Sequence, residues 1–205
     1  MKQFELENII DYSKDAWELL IAPDEWADSP REWGNLGKIC VPTRCKYFKD
    51  ESGLADSLDW YNSKADKKTL EKLGYIVFPL SVYDHSGVSV YIGGKCDAWD
   101  SGQVGWYIVN KKDACEWYNA KRINKKLLEK IENFAEKEVK TFNRYLNGEI
   151  YNYTLIHNGE EVDSCGGFYD NDSYLGFIDD IYEQLPDEFI NAFTVEQAKQ
   201  LATWK

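Results

Sequence analysis

The chain has 205 residues, with 24 Lys+Arg against 36 Asp+Glu and a formal net charge of −12. At 43% hydrophobic and 15% aromatic residues it is too apolar for a disordered acidic chain, and it is long enough to bury one good core without metal or disulfide staples. No apolar run approaches the ~20 residues that cross a bilayer, and Glu5 and Glu7 break the stretch where a signal peptide would be apolar, so a soluble cytoplasmic protein with no membrane partner is expected.

The apolar run Asn8–Ala22, with Ser13 as cap, predicts a short helix from Lys14 that Pro23 ends. The loop Trp26–Gly37 follows, punctuated by Pro30, Gly34 and Gly37, and its tryptophans are expected to anchor on the core. Lys38–Cys45 reads as a short strand and Asp56–Leu73 as one or two short helices. Gly74–Tyr83 and Gly87–Ile92 are rich in β-branched and aromatic residues and predict a hairpin around Asp84-His85-Ser86, with Pro79 requiring an edge position or a bulge. Gly105–Asn110 is a third strand after the turn Trp99–Gly102.

Between Ala120 and Leu146, the residues Ile123, Leu127, Ile131, Phe134, Ala135, Val139, Phe142 and Leu146 recur at steps of three and four, the stripe of a long helix with Gly148 as its cap. Its opposite face mixes Glu129, Glu132, Glu136 and Glu138 with basic residues, the pattern of a solvated face. Ile150–His157, the turn Asn158-Gly159 and Glu161–Ser164 predict a second hairpin. Tyr174–Leu185 and Thr194–Thr203 close the chain as helices, the latter with a Thr194/Gln197 capping box. This order predicts an α+β fold: a mostly antiparallel sheet with one long central helix and C-terminal helices.

Residues 1–110 carry 12 basic and 18 acidic side chains, residues 111–147 carry 10 and 6, and residues 148–205 carry only Lys199 and Lys205 against 12 acids. One domain over residues 1–205 is expected, with an acidic subdomain over 150–205 as the variant of that reading. The five cysteines, Cys40, Cys45, Cys96, Cys115 and Cys165, are an odd number without an export signal, which favours reduced and mostly buried thiols. Cys40 and Cys45 have no matching second pair, so zinc is not expected.

Chemistry has few handles here. Asp84-His85-Ser86-Gly87 places carboxylate, imidazole and hydroxyl in one turn, and Cys165, in Asp163-Ser-Cys-Gly-Gly-Phe168, is the nucleophile that a Cys–His enzyme would need beside His85. A lone His in an aromatic hairpin is more often structural. Trp99-Asp100-Ser-Gly-Gln-Val-Gly105 lacks the ending of a phosphate loop, and no HExxH, GxSxG or dinucleotide fingerprint occurs. Asp163, Asp170, Asp172, Asp179 and Asp180 match no metal-nuclease spacing, so neither metal nor cofactor is expected.

Five segments occur in order: Asp28-Ser-Pro-Arg-Glu-Trp33-Gly-Asn-Leu-Gly37, Tyr83-Asp-His-Ser-Gly87, Trp99-Asp-Ser-Gly-Gln-Val-Gly-Trp106, Tyr145-Leu-Asn-Gly148 and Glu161-Val-Asp-Ser-Cys-Gly-Gly-Phe-Tyr169. Through them residues 26–169 resemble a family of uncharacterised bacteriophage and mobile-element proteins. That family has no assigned reaction, so the resemblance carries over no catalytic residue. This chain departs from it in the acidic tail and in Cys96-Asp-Ala-Trp99. The resemblance implies a small accessory protein of phages or plasmids in a bacterial host cell.

In that context the acidic block reads as a DNA mimic, its carboxylates imitating the phosphates that a basic groove holds. The expectation is a non-catalytic inhibitor of a host defence nuclease, anti-CRISPR or anti-restriction. Its partner would be a basic nucleic-acid-binding Cas or restriction protein, not nucleic acid itself. The binding face would comprise Glu160, Glu161, Asp163, Asp170, Asp172, Asp179 and Asp180, with Trp99 and Asp100 as anchors. The alternatives are a small enzyme using His85, Cys165 and Asp84, and a non-catalytic interaction protein of a phage.

Overall fold

The computed structural model describes residues 16–85, 87–93, 101–171 and 175–205. It is an α+β fold with mostly antiparallel sheets, and the chain divides into two units, Asp28–Asn147 and Met1–Ala27 with Gly148–Lys205.

In Asp28–Asn147 the sheet order is β2-β5-β3-β4, from β2 (Lys38–Cys40), β3 (Tyr75–Asp84), β4 (Val88–Ile92) and β5 (Ser101–Asn110), all antiparallel. Pro79 finds its place because β4 pairs only with Leu80–Asp84. Its carbonyl accepts the Gly93 N–H at 2.9 Å, so the missing Pro79 N–H lies on the same side, beyond the last ladder pair, and breaks no ladder bond. The β3–β5 register shifts next to it, between Leu80 and Ser81.

Alternation along β5 sends Trp106 and Ile108 to one face of the sheet and Tyr107 and Val109 to the other. On the first face, α1 (Ser63–Lys72), capped by Asn62, packs Leu70 against Cys40, Val77, Trp106 and Ile108. After β5 comes α2 (Lys111–Trp117), which the sequence reading passed over, and then α3 (Lys125–Leu146), capped by Asn124. The stripe Leu127, Ile131, Ala135, Val139 and Phe142 is buried on the second face of the sheet, as its period predicts. The helix starts at Lys125 and not at Ala120.

Glu138 corrects the expected solvated face of α3: it belongs to a buried polar network. Arg31, 8% exposed, donates Nε and Nη2 to Glu51 at 2.9 and 2.8 Å, Nη2 also to the Gly37 carbonyl at 2.8 Å, and Nη1 to Glu138 at 3.5 Å. The Tyr107 hydroxyl donates to Glu138 Oε2, and the Leu36 N–H donates to Glu138 Oε1 at 2.8 Å. Desolvation opposes the charge on Arg31, but the hydrogen bond and charge of Glu51 outweigh it and hold the guanidinium protonated. Burial, with Glu138 adding to it, pushes the Tyr107 hydroxyl up, so it stays a donor. A Cβ at Gly37 would overlap the Tyr107 ring, which explains the glycine that ends this loop. The loop is thus anchored by Arg31 and not by its tryptophans: Trp26 is 92% exposed and Trp33 53%.

In the other unit the sheet order is β7-β6-β1-β8, from β1 (Trp17–Pro23), β6 (Ile150–His157), β7 (Glu160–Tyr169) and β8 (Ala202–Trp204). A strand therefore replaces the helix expected to end at Pro23, while Ser13 and Lys14 lie outside the described residues. Trp17, Leu19 and Ile21 alternate into the core, a period of two that the neighbouring Leu20 and Ala22 masked. The β6–β7 hairpin turns at Asn158 (φ 53°) and Gly159 (φ 82°), positive at both as a type I′ turn requires, and β7 runs on to Tyr169.

Three short helices, α4 (Phe177–Tyr182), α5 (Asp187–Ala192) and α6 (Val195–Leu201), pack Phe177, Ile178, Ile181, Phe189 and Ala198 with Trp17, Leu19, Ile21, Tyr153 and Leu155. The Thr194/Gln197 capping box is present. The helix it opens stops at Leu201, because Ala202–Trp204 pairs in parallel with Leu19–Ile21.

Replacing Arg31 by Met leaves the buried Glu138 and the part-buried Glu51 without their cation, and a loss of about 3 kcal/mol is expected. Urea unfolding followed by tryptophan fluorescence measures it. An unchanged midpoint would mean that the network does not hold the loop.

Candidate functional site

Charge follows the units. Met1–Ala27 with Gly148–Lys205 hold 4 basic against 19 acidic side chains, a net of −15, and Asp28–Asn147 hold 20 against 17, a net of +3. The acidic candidates are spread over their unit. Glu160 and Glu161 are exposed beside the hairpin turn, and Asp170 follows the far end of β7, roughly 30 Å along a strand of this length. Asp179 and Asp180 sit in the first turn of α4.

Several of these carboxylates have internal partners. Asp163 accepts from the Tyr153 hydroxyl at 2.6 Å, Glu161 from Ser164 at 2.9 Å and Asp170 from the Asn171 N–H at 2.8 Å, while Asp179 pairs with Lys199 at 2.6 Å. Glu160 and Asp180 are exposed. Asp172, Trp99 and Asp100 lie outside the described residues.

His85 follows β3 in Asp28–Asn147, its ring 6.2 Å from that of Tyr83, whereas Cys165 is exposed on β7 in the other unit. The four described cysteines are free thiols, but only Cys40 is fully buried, which corrects the expectation of mostly buried thiols. Burial pushes the Cys40 thiol up to about 11, so it is unreactive near neutrality. Asp84 accepts from Lys46 Nζ at 2.9 Å and from the Tyr47 hydroxyl at 2.8 Å, both on Oδ2. The Lys46 hydrogen bond, with Tyr47 adding to it, holds the Asp84 carboxyl below its usual range and raises Lys46 to about 12.

Lys46 and Tyr47 also line a cleft that sequence reasoning missed. It encloses about 670 Å³ between the loop 42–47, the turn 60–63, α1 and the first half of β5. Arg44, Lys46, Tyr47, Trp60, Tyr61, Asp66, Gln103 and Trp106 line it. The segment Gly102–Trp106 forms one of its walls; the strand already begins at Ser101, where the sequence predicts a turn through Gly102. The Arg44 guanidinium lies over the Tyr61 ring, 5.3 Å from its centroid, and Nη1 donates to the Tyr61 hydroxyl at 3.2 Å.

Asp66 is 2% exposed, and its Oδ1 accepts the Asp59 N–H at 2.7 Å. Desolvation holds its carboxyl above the usual range; the Asp59 N–H opposes that and the Asp59 charge adds to it. The available signal was basic residues interleaved with aromatics, Arg44-Cys-Lys46-Tyr47 and Trp60-Tyr61, in segments too polar to register as elements.

No family model, curated protein or solved structure matches this chain. Among the described residues no group of three or more His, Cys, Asp or Glu is placed to hold a metal ion, and no helix is long and apolar enough to cross a membrane.

The Asp66 carboxyl binds its proton more tightly in the folded chain than in the unfolded one, so folding stability falls as pH rises through its raised pKa. Asp66→Asn keeps an oxygen for the Asp59 N–H and is expected to remove that fall, becoming the more stable form toward neutrality. Urea midpoints between about pH 4 and pH 7 test this; parallel curves for the two proteins would sink it.

Proposed function

We propose that this chain is a non-catalytic protein of a phage or mobile element that inhibits a host defence nuclease, of CRISPR or restriction type. It presents its acidic unit to the basic surface on which the nuclease holds nucleic acid. The supporting observation is the division of charge, −15 over one unit against +3 over the other. A surface of that sign repels DNA and RNA and draws a basic groove at long range.

The β6–β7 hairpin carries exposed acids. Glu160 and Glu161 directly follow its turn, and β7 is the edge of its sheet. Register shifts opposite Asn152 and near Leu155 irregularise that edge, and carboxylates along it discourage pairing with a further strand. Recognition therefore falls to side-chain charge and not to backbone addition.

Expression in cells carrying a restriction or CRISPR nuclease is expected to raise plasmid transformation. The purified chain is expected to capture that nuclease at low salt and to lose about tenfold or more in affinity between roughly 50 and 500 mM salt. A Glu160→Lys/Glu161→Lys/Asp180→Lys variant should lose both effects with its circular dichroism unchanged. Capture that ignores salt would exclude charge mimicry, and transformation that stays flat across defended strains would exclude inhibition.

A further inference from the structure

We propose that the cleft of the Asp28–Asn147 unit binds a guanine nucleotide, with Asp66 reading the base, the cleft's aromatic rings stacking on it, and Arg44 holding the phosphate. This goes beyond the inhibitory role above and uses none of its residues.

The volume comes first. About 670 Å³ is within the range of roughly 300–1,000 Å³ in which proteins hold nucleotide-sized ligands. Tyr47, Trp60, Tyr61 and Trp106 supply flat rings along it. Trp60 is fixed in orientation by its Nε1–H, which donates to the Ala55 carbonyl at 2.8 Å. Such rings stack on a heteroaromatic base without selecting among bases.

Selection falls to Asp66. It lines the cleft, Oδ1 is held by the Asp59 N–H, and Oδ2 carries no hydrogen bond among the described residues and is not closed off from solvent. An oxygen left without a protein donor at the cleft wall can accept an N–H from a ligand. A carboxylate offers acceptors only, so it matches an edge with adjacent donors, and guanine presents N1–H beside its N2 amino group. Adenine and cytosine set a ring-nitrogen lone pair beside their amino group, and uracil sets two carbonyls around its one N–H; each directs a lone pair at the carboxylate.

Charge around the cleft excludes the other ligand that aromatic rings and a carboxylate could suit, an organic ammonium. Arg44 lines the same space and would repel it. Lys46 is neutralised by Asp84, whereas among the described residues Arg44 engages only Tyr61, through Nη1 and its π face. The remaining N–H groups of its planar fork suit a phosphate.

The test is calorimetry and tryptophan quenching on the full chain with guanosine monophosphate, adenosine monophosphate, guanosine and a short single-stranded RNA containing guanine. Guanosine monophosphate is expected to bind about tenfold or more tightly than adenosine monophosphate, the margin of one two-point base contact, and more tightly than guanosine. Asp66→Asn should erase the preference between the two bases. Arg44→Ala, at an exposed position, should erase the preference for the phosphate and keep that for guanine, which tests the site even if Asp66→Asn folds poorly. Gly102→Leu should block binding, since a Cβ there meets nothing within 4 Å and the larger side chain has room beside the cleft. Equal affinity for the two nucleotides, no binding at about 1 mM, or an unchanged Arg44→Ala variant would overturn the proposal. Tighter binding of the RNA than of the mononucleotide would transfer the site to a strand and overturn the free-nucleotide assignment.

Discussion

The buried guanidinium of Arg31 is the constraint on which the Asp28–Asn147 unit depends. It joins the loop it sits in to Glu51, to the Gly37 carbonyl and to Glu138 on α3, while Glu138 in turn takes the Tyr107 hydroxyl of β5 and the Leu36 N–H. A buried ion pair adds little net stability when intact but costs several kcal/mol when one partner is lost, so loop, sheet and helix must all be in place together. The network also governs the cleft. Glu51 Oε2 accepts the Ile39 N–H at 2.8 Å, and the Glu51 N–H donates to the Ile39 carbonyl at 2.9 Å. The chain between those two residues is therefore a loop closed at its base, where Asp50 accepts from Val41 within it and from Gly53 just beyond it. Arg44, Lys46 and Tyr47 stand on it.

Local chemistry was legible in the sequence, and pairing across long separations was not. The α3 stripe, the Asn158-Gly159 turn and the Thr194/Gln197 box each rest on residues within one or two turns of chain, and each is present. β1 failed because Trp17-Glu-Leu-Leu-Ile-Ala fits either period, and the strand that decides it, β6, lies more than a hundred residues later. β8 is three residues long and exists only through Leu19–Ile21. The cleft was hidden for a related reason. In a polar helix Asp66 reads as solvated, and only the fold covers it; Arg31 and Glu138 read as surface charges until tertiary packing buries them.

Pairing also redistributes the charge. Along the chain, most of the excess acid stands in the last 58 residues, but β1 sits between β6 and β8, so Glu18, Asp24 and Glu25 join the same unit. Self-repulsion in so acidic a unit is eased where Tyr153 donates to Asp163 and Lys199 pairs with Asp179. Glu160 and Asp180 stay in solvent. The Asp28–Asn147 unit turns Glu51, Glu138 and Asp66 inward, onto named donors.

These two uses of the carboxylate respond differently to ions. Exposed charges interact through solvent and are screened over roughly 8–10 Å at physiological salt, so the attraction proposed between the acidic unit and a basic partner weakens as salt rises. The proposed contact of Asp66 with a base is made at hydrogen-bond distance on a residue only 2% exposed, where counterions have little access. Base recognition in the cleft should therefore survive ionic strengths that release a basic partner, with only the Arg44 contribution weakening. Ionic strength thus separates a long-range field from a short-range readout within one chain, because the same residue type is left in water in one unit and buried in the other.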